Sequence, residues 1–162
     1  DIPAVIAHFE KEKGLKGFKG AKAIDNAGLL ELPCDMLCPS AIENVITKKN
    51  AENIKAKVIV EMANGPITPE AEKILEGKGI EIVPDILANA GGVTVSYFEM
   101  VQNQMNCYWS EYEVKEKLKP LMKKAWMEVT QVAHKYKCSY RMAAYIKSIQ
   151  RIVDAMKARG MC

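Results

Sequence analysis

Short apolar runs alternate with amphipathic stretches over the first hundred residues of this chain. Three of the runs have the length and composition of buried strands: Cys34 to Cys38, Lys57 to Glu61 and Ile80 to Val83. Between the second and the third, Thr68 followed by Pro69 predicts a helix, with the threonine as N-cap and the proline in the first turn. Strands separated by helices in this way predict a parallel sheet with right-handed crossovers.

Weaker helical patterns surround these strands. Apolar residues spaced three and four apart predict a short amphipathic helix over Ile2 to Lys13. Asp25 is expected to cap a brief helix over Asn26 to Leu32. One or two helical turns are expected around Ala41 to Ala51, which would complete the first crossover.

After residue 100 the pattern is helical throughout. Ser110 and Glu113 have the spacing of a capping box and predict the start of a long helix. Pro120 falls inside that helix, where we expect a kink. Ser139 is expected to cap the last helix and Gly160 to end it. The predicted fold class is therefore α/β: a partial Rossmann-like parallel sheet of three strands with crossover helices, followed by long C-terminal helices.

Composition limits the possible functions. A chain of 162 residues with 49% apolar residues is long enough for one domain with a core of its own. The net charge of +3 comes from lysines interspersed with glutamates, so we expect no nucleic-acid partner. No apolar run is long enough to span a bilayer and no secretory signal is recognisable, so no membrane partner is expected. Five cysteines, an odd number without paired spacing, favour a reducing, cytoplasmic location.

Candidate chemistry is concentrated where the third strand ends. Pro84 stops the strand, and a short turn leads into a helix opened by glycines near Gly91. The first amide N–H groups of such a helix are free to face a ligand. Asn89, Val93 and Ser96 are spaced four and three apart and so share one helical face. Ligands of open α/β sheets bind at this carboxyl edge.

The same stretch carries a family resemblance. Pro84 to Glu99, Glu61 to Ala71 and Pro39 to Asn44 resemble, in this order, segments from the C-terminal part of the coenzyme domain of glutamate dehydrogenases. The likeness continues to the helices that end near Gly160. It implies a hexameric enzyme that uses NAD or NADP to convert L-glutamate reversibly to 2-oxoglutarate and ammonia. The implied location is cytoplasmic, and the other implied partner is the remainder of the enzyme chain.

The resemblance also implies roles for particular residues. Substrate contacts are implied for Ser96, Val93 and Gly92, with the serine hydroxyl on the distal carboxylate of glutamate. Cofactor contacts are implied for Asn89, Asn64, Ala63, Ala41 and Ser40. From the residues alone, Ser96 could instead bond its own helix backbone, and Asn89 could be only a turn or cap residue. Met62, Ile67 and Ser40 stand where the family commonly has glycine, threonine and alanine.

Some expected parts of such an enzyme are absent from this chain. The glycine-rich phosphate turn of a dinucleotide fold does not occur, since Gly14, Gly17 and Gly20 follow a helix and not a strand. The family's catalytic lysine and aspartate precede the matching segment, so we expect no catalytic residue here. His8 and His134 have no matching partner, and no metal site is expected. The alternative function is a free-standing, non-catalytic module for nucleotide binding or subunit assembly.

The domain assignment follows from these absences. Residues 1–106 are predicted to form a partial Rossmann-type dinucleotide-binding domain that lacks its first glycine-rich βα unit. Residues 107–162 are predicted to form a helical segment that packs back on the enzyme. In a complete sheet, the strand Cys34 to Cys38 would pair with the missing first strand. Without it this strand is an apolar edge, so we expect the isolated chain to associate, as light scattering would detect.

Overall fold

The three apolar runs form one parallel sheet in the order β1 (Met36–Leu37), β2 (Val58–Val60) and β3 (Glu81–Val83). The computed structural model describes residues 1–161, so the predicted segment 107–162 and the cysteine count both include one residue, Cys162, outside the described part. Ile59 pairs with Leu37 on one side and with Ile82 on the other. It is fully buried, as expected for a central strand covered on both faces.

Helices surround the sheet and fill the second half of the chain. They are α1 (Ile2–Glu12), α2 (Asn26–Leu30), α3 (Pro69–Gly77), α4 (Asp85–Ala88), α5 (Ala90–Met105), α6 (Glu111–Tyr136) and α7 (Tyr140–Ala158). α3 is the crossover between β2 and β3. The predicted α/β class with long C-terminal helices is confirmed.

Local capping accounts for most helix boundaries. The Thr68 hydroxyl accepts a hydrogen bond from the amide of Ala71, with Pro69 in the first turn of α3. Ser110 and Glu113 form the predicted capping box at the start of α6. The Ser139 hydroxyl caps α7, and Gly160, with a φ of 67°, follows its end.

Helix α6 continues on both sides of Pro120. The proline removes one backbone N–H donor from the helix but does not end it. The kink expected at this position stays a prediction. Its side chain is exposed, so the ring meets no tightly packed neighbour.

The helical turns expected around Ala41 to Ala51 are wrong. This segment is irregular and ends in a single 3₁₀ turn over Ala51–Asn53. Its backbone is bonded elsewhere: the Ile46 amide donates to Pro66 O, and the Ile46 carbonyl accepts from the Thr68 amide. These partners lie in the loop after β2, so long-range pairing replaces the local bonds that a helix would need.

Two apolar clusters stabilise the chain. The first lies around the sheet and α3 and contains the fully buried side chains of Ile46, Ile59 and Leu75. The second joins α4 to the hairpin of α6 and α7 through Leu87, Val129 and Ala143 among others. The C-terminal helices are thus anchored next to the carboxyl end of β3.

Two surface properties bear on the expectations above. β1 lies at the edge of the sheet, with Met36 58% exposed, and residues 1–161 supply no strand beyond it. Of the two cysteines that flank this strand, Cys38 is exposed and Cys34 is half-buried. Within the same described residues, no helix combines the length and apolarity that crossing a bilayer requires.

Candidate functional site

The turns that follow β1 and β2 lie against each other. The amides of Met62 and Ala63 both donate to the Pro39 carbonyl, at 3.1 and 2.9 Å. Ser40 follows that proline, and its hydroxyl donates to the Cys38 carbonyl at 2.8 Å. Ser40 and the neighbouring Ala41 are exposed, whereas Ala63 is buried. Parallel strands end at one edge of the sheet. Four of the residues for which the resemblance implies cofactor contacts therefore lie on two adjoining turns: Ser40, Ala41, Ala63 and Asn64.

The turn after β3 joins this edge through a pair of asparagines. Asn89 Nδ2 donates to Asn64 Oδ1 at 2.7 Å and lies 3.3 Å from the Met62 carbonyl oxygen. Asn64 is exposed and Asn89 half-buried, so both amides remain at the surface. The pair fixes the two turns relative to each other and presents unused donor and acceptor groups to a ligand.

Helix α5 begins at Ala90, just after the helical turn α4. The Gly92 amide donates to the Asn89 carbonyl at 3.1 Å. The expectation that the first amides of a helix opening near Gly91 are all free is therefore wrong for Gly92. Asn89 lies between α4 and α5, so its carbonyl is placed to accept from the Gly92 amide as a residue of the preceding helical turn would.

One side of α5 is open. Gly92, Val93 and Ser96 are exposed, and Val93 is 71% exposed. A Cβ built on Gly92 would meet no atom within 4 Å, whereas one on Gly91 would contact Leu118 and Met122 of α6 at 3.9 Å. The helix thus packs its Gly91 side on α6 and leaves the three implied substrate residues uncovered.

Ser96 has a hydrogen-bond partner in its own helix. Its hydroxyl donates to the Gly92 carbonyl at 3.3 Å. This is the backbone bond that an ordinary helical serine makes. The bond is at the long end of the usual range and the side chain is exposed, so the hydroxyl can turn towards a ligand at little energetic cost.

Behind these turns lies a charged cluster that the sequence did not reveal. Arg141, in the first turn of α7, contacts three carboxylates, and we call these four residues the Arg141 cluster. Its Nε donates to both oxygens of Glu72 at 2.8 and 2.9 Å, Nη1 to Asp85 Oδ1 at 3.0 Å, and Nη2 to Glu61 Oε2 at 2.7 Å. The Glu61 side chain is fully buried and the other three are 15–20% exposed.

Two carboxylates of this cluster, Glu61 and Asp85, have opposite pKa shifts. Burial raises the pKa of Glu61, although hydrogen bonds from Arg141 and the Asp85 amide oppose the rise. Burial also acts on Asp85, but the amides of Gly65 and Ile86, together with Arg141, outweigh it and lower the pKa of that carboxyl. For Arg141, hydrogen bonds to Glu61 and Glu72 outweigh burial and raise its pKa, so it stays charged.

These directions predict how stability changes with pH. The raised pKa of Glu61 means that its stabilising contribution is fully present below the ordinary pKa and is lost as pH rises through the folded-state value. The difference in melting temperature, Glu61→Gln minus the unsubstituted protein, should therefore become more positive from acid to neutral pH. Asp85→Asn should show the reverse trend, since a lowered pKa contributes stability above the ordinary value. Melting curves across this pH range test both, and parallel trends for the two variants would contradict the assignment.

Some signals for this cluster exist in the sequence. Glu61 directly follows the apolar strand β2, where a charged residue needs a partner. Arg141 is one of three arginines among 23 basic residues. Neither signal identifies the other residue, since 80 positions separate them. Asp85 and Glu99 lie near each other in the sequence but do not share a partner among residues 1–161. Asp85 bonds Arg141, while Glu99 is exposed.

An open cleft lies elsewhere. It has a volume of about 380 Å³ and is lined by residues of α3, β3 and the α6–α7 junction, including Ile80, Glu81 and Tyr140. Ile80 and Glu81 are at the amino end of β3, opposite the asparagine pair. The candidate site at the carboxyl edge of the sheet is therefore separate from this cleft.

Comparison with known proteins decides the family. Residues 1–160 match the model of the glutamate/leucine/phenylalanine/valine dehydrogenase family. The chain belongs to this family. The match covers the sheet, the open side of α5 and both C-terminal helices. The resemblance to glutamate dehydrogenases noted in the sequence is confirmed by the relatives themselves.

Individual members of the dehydrogenase family show how far the likeness extends. The chain is 52% identical, over 137 residues, to the cryptic catabolic NAD-specific glutamate dehydrogenase GudB of Bacillus subtilis; the match covers 85% of the chain and 32% of that protein. A glutamate dehydrogenase structure from Peptoniphilus asaccharolyticus superposes with a TM-score of 0.81 at 42% identity, over 100% of the chain and 36% of its own. The Leu-bound hetero-hexameric glutamate dehydrogenase of Thermus thermophilus gives a TM-score of 0.87 at 29% identity, over 98% of the chain and 37% of its own.

The chain thus spans about a third of the length of these dehydrogenases.

Met62, which stands where the family commonly has glycine, is about half exposed. Its amide and carbonyl are both bonded, to Pro39 and to Asn89. The backbone bonds that hold the two turns together thus form with methionine at this position.

Proposed function

We propose that this chain is the C-terminal part of the coenzyme domain of a glutamate dehydrogenase, which oxidises L-glutamate to 2-oxoglutarate and ammonia. The observation that carries the proposal is the open side of α5 beside the asparagine pair. There an apolar side chain and a hydroxyl, Val93 and Ser96, are exposed next to polar amides at the carboxyl edge of a parallel sheet. The 52% identity to a protein named as a glutamate dehydrogenase supports the substrate.

The residues at this edge suit a nicotinamide dinucleotide, NAD or NADP. A Cβ built on Gly65, like one on Gly92, would meet no atom within 4 Å, so a ligand can approach both stretches of backbone closely. The proposed cofactor contacts are Asn89, Asn64, Ala63, Ala41 and Ser40. When bound, the dinucleotide would supply an acceptor for the hydride that leaves Cα of glutamate. The resulting iminium is then hydrolysed by water, which releases ammonia.

Substrate selection is assigned to α5. Ser96 would donate its hydroxyl hydrogen to the distal carboxylate of glutamate, while Val93 and Gly92 form the adjoining wall. A site built for a polar group discriminates against analogues that lack it. The chain holds the two ligands in relative orientation, and the proton-transfer groups are proposed to lie in the preceding part of the protein.

Domain roles and assembly follow the same proposal. Residues 1–106 would be the later part of a Rossmann-type domain, and 107–162 a helical segment that packs back on the enzyme. The exposed edge strand β1 would pair with an earlier strand of the complete sheet. A hexamer is proposed because a relative is described as hetero-hexameric. The four free thiols among the described residues fit a cytoplasmic protein.

The complete protein that contains this chain tests the proposal directly. We expect glutamate-dependent formation of NADH or NADPH, and weaker or no turnover with leucine, phenylalanine or valine as matched controls. Efficient oxidation of one of the apolar amino acids would contradict the substrate while leaving a dehydrogenase. Absence of any amino-acid-dependent reduction of both cofactors would contradict the enzymatic proposal and favour the binding or assembly module.

A further inference from the structure

Arg141 lies at the point where the C-terminal helices meet the carboxyl edge of the sheet. Its guanidinium bonds side chains from three elements: Glu61 at the end of β2, Glu72 on α3 and Asp85 at the start of α4. Two of these partners belong to the segments that lead into the turns carrying Asn64 and Asn89. Arg141 itself is set by the start of α7, which Ser139 caps.

The carboxylates of Asp85 and Glu61 also bond backbone amides of the two turns. Asp85 Oδ2 accepts from the Gly65 amide at 2.8 Å, so a residue of the third-strand turn holds the second-strand turn. Glu61 Oε2 accepts from the Asp85 amide at 2.7 Å, which is the reciprocal link. Both carboxylates also bond Arg141. Each turn is thus connected to the guanidinium through a single side chain.

The same two turns meet directly through their asparagines. The distance of 2.7 Å between Asn89 Nδ2 and Asn64 Oδ1 depends on how Gly65 and Asp85 are spaced. Glu61 and Asp85 repel each other when both are ionised, and Glu61 Oε1 is buried without a hydrogen-bond partner among the described residues. The guanidinium places a positive charge between these two acids, and its planar fork can bond several oxygens at fixed angles.

We propose that Arg141 is a positioning residue for nicotinamide-dinucleotide binding: through Glu61 and Asp85 it sets the spacing of the two turns that carry Asn64 and Asn89. This inference rests on the proposed function, since it concerns the cofactor edge of the same site. It assigns the last helix a role in cofactor affinity, although Arg141 does not itself contact the ligand. Glu72 anchors the guanidinium to α3 and has no bond to either turn.

The test compares Arg141→Lys with Glu72→Gln in the complete enzyme. Lysine keeps the positive charge but has only one nitrogen. It therefore cannot replace the two guanidinium nitrogens that bond Glu61 and Asp85 separately. We expect its equilibrium Kd for NADH or NADPH, from nicotinamide fluorescence, to rise about tenfold, the equivalent of roughly one misplaced hydrogen bond. Glu72→Gln should lower the melting temperature and leave this Kd unchanged. The KM for glutamate should change less than the cofactor Kd in Arg141→Lys.

The outcomes separate positioning from stability. An unchanged cofactor Kd in Arg141→Lys overturns the inference, and so does an equal rise of Kd in both variants, which would indicate a general loss of packing. If Arg141→Lys does not fold, Asp85→Asn tests the same link, because one of the two acceptor oxygens becomes an NH2 group that must face a donor, either the Gly65 amide or Arg141. A normal Kd in Asp85→Asn then overturns the inference. Failure of the proposed function is distinct, since the unsubstituted enzyme would then show no cofactor binding.

Discussion

Replacing Arg141 by methionine is expected to destabilise the protein by about 3–5 kcal/mol, the cost of removing one partner from a buried ion pair. Methionine retains much of the aliphatic volume but leaves three carboxylates without a counter-charge. Glu61 is the most affected, because its side chain is fully buried and one of its oxygens already lacks a partner among residues 1–161. Urea unfolding of the unsubstituted and substituted proteins at neutral pH measures the difference.

A second ion pair on the same helix provides the control. Lys147 of α7 lies 3.4 Å from Glu128 of α6, and both side chains are about one-third exposed. Lys147→Met should therefore cost at most about 1 kcal/mol, as for pairs that water screens. Equal losses in the two variants would contradict the view that burial makes the Arg141 cluster the dominant charged contact of α7.

Replacing Ser96 by alanine is expected to raise the KM for glutamate by about 10- to 100-fold, because a hydrogen bond to a charged group contributes roughly 1.5–3 kcal/mol. The affinity for the cofactor should not change, since Ser96 lies two helical turns beyond the asparagine pair on the sheet edge. Steady-state kinetics of the complete enzyme, with each ligand varied in turn, measures both quantities. The removed bond to the Gly92 carbonyl is exposed and within the helix, so little stability should be lost.

The matched control for this variant is Ser148→Ala. Ser148 is also an exposed helical serine, but it lies on α7, away from the open side of α5. Its substitution should leave both kinetic constants unchanged. An unchanged KM for glutamate in Ser96→Ala would show that this serine only bonds its own helix, which is the alternative its sequence position allows.

Much of the candidate site could be located from the sequence because its residues follow strand ends. Asn64 comes after β2 and Asn89 after β3, and parallel strands must end at one edge. The contact between the two asparagines could not be predicted in this way. It depends on the separation of the turns, which is set by bonds from Gly65 and Arg141.

The sequence by itself determined the elements whose hydrogen bonds are local. Thr68, Ser110 and Ser139 each cap a helix through an amide three residues away, so short patterns were sufficient. The three strands and the family were likewise readable, since apolar runs and motifs are continuous in the chain. The structure decided what depends on distant partners. Ile46 bonds the loop after β2, which removes the expected helix, and Arg141 meets its partners 56 to 80 positions earlier. Such contacts form only when packing brings the segments together, and no local pattern specifies them.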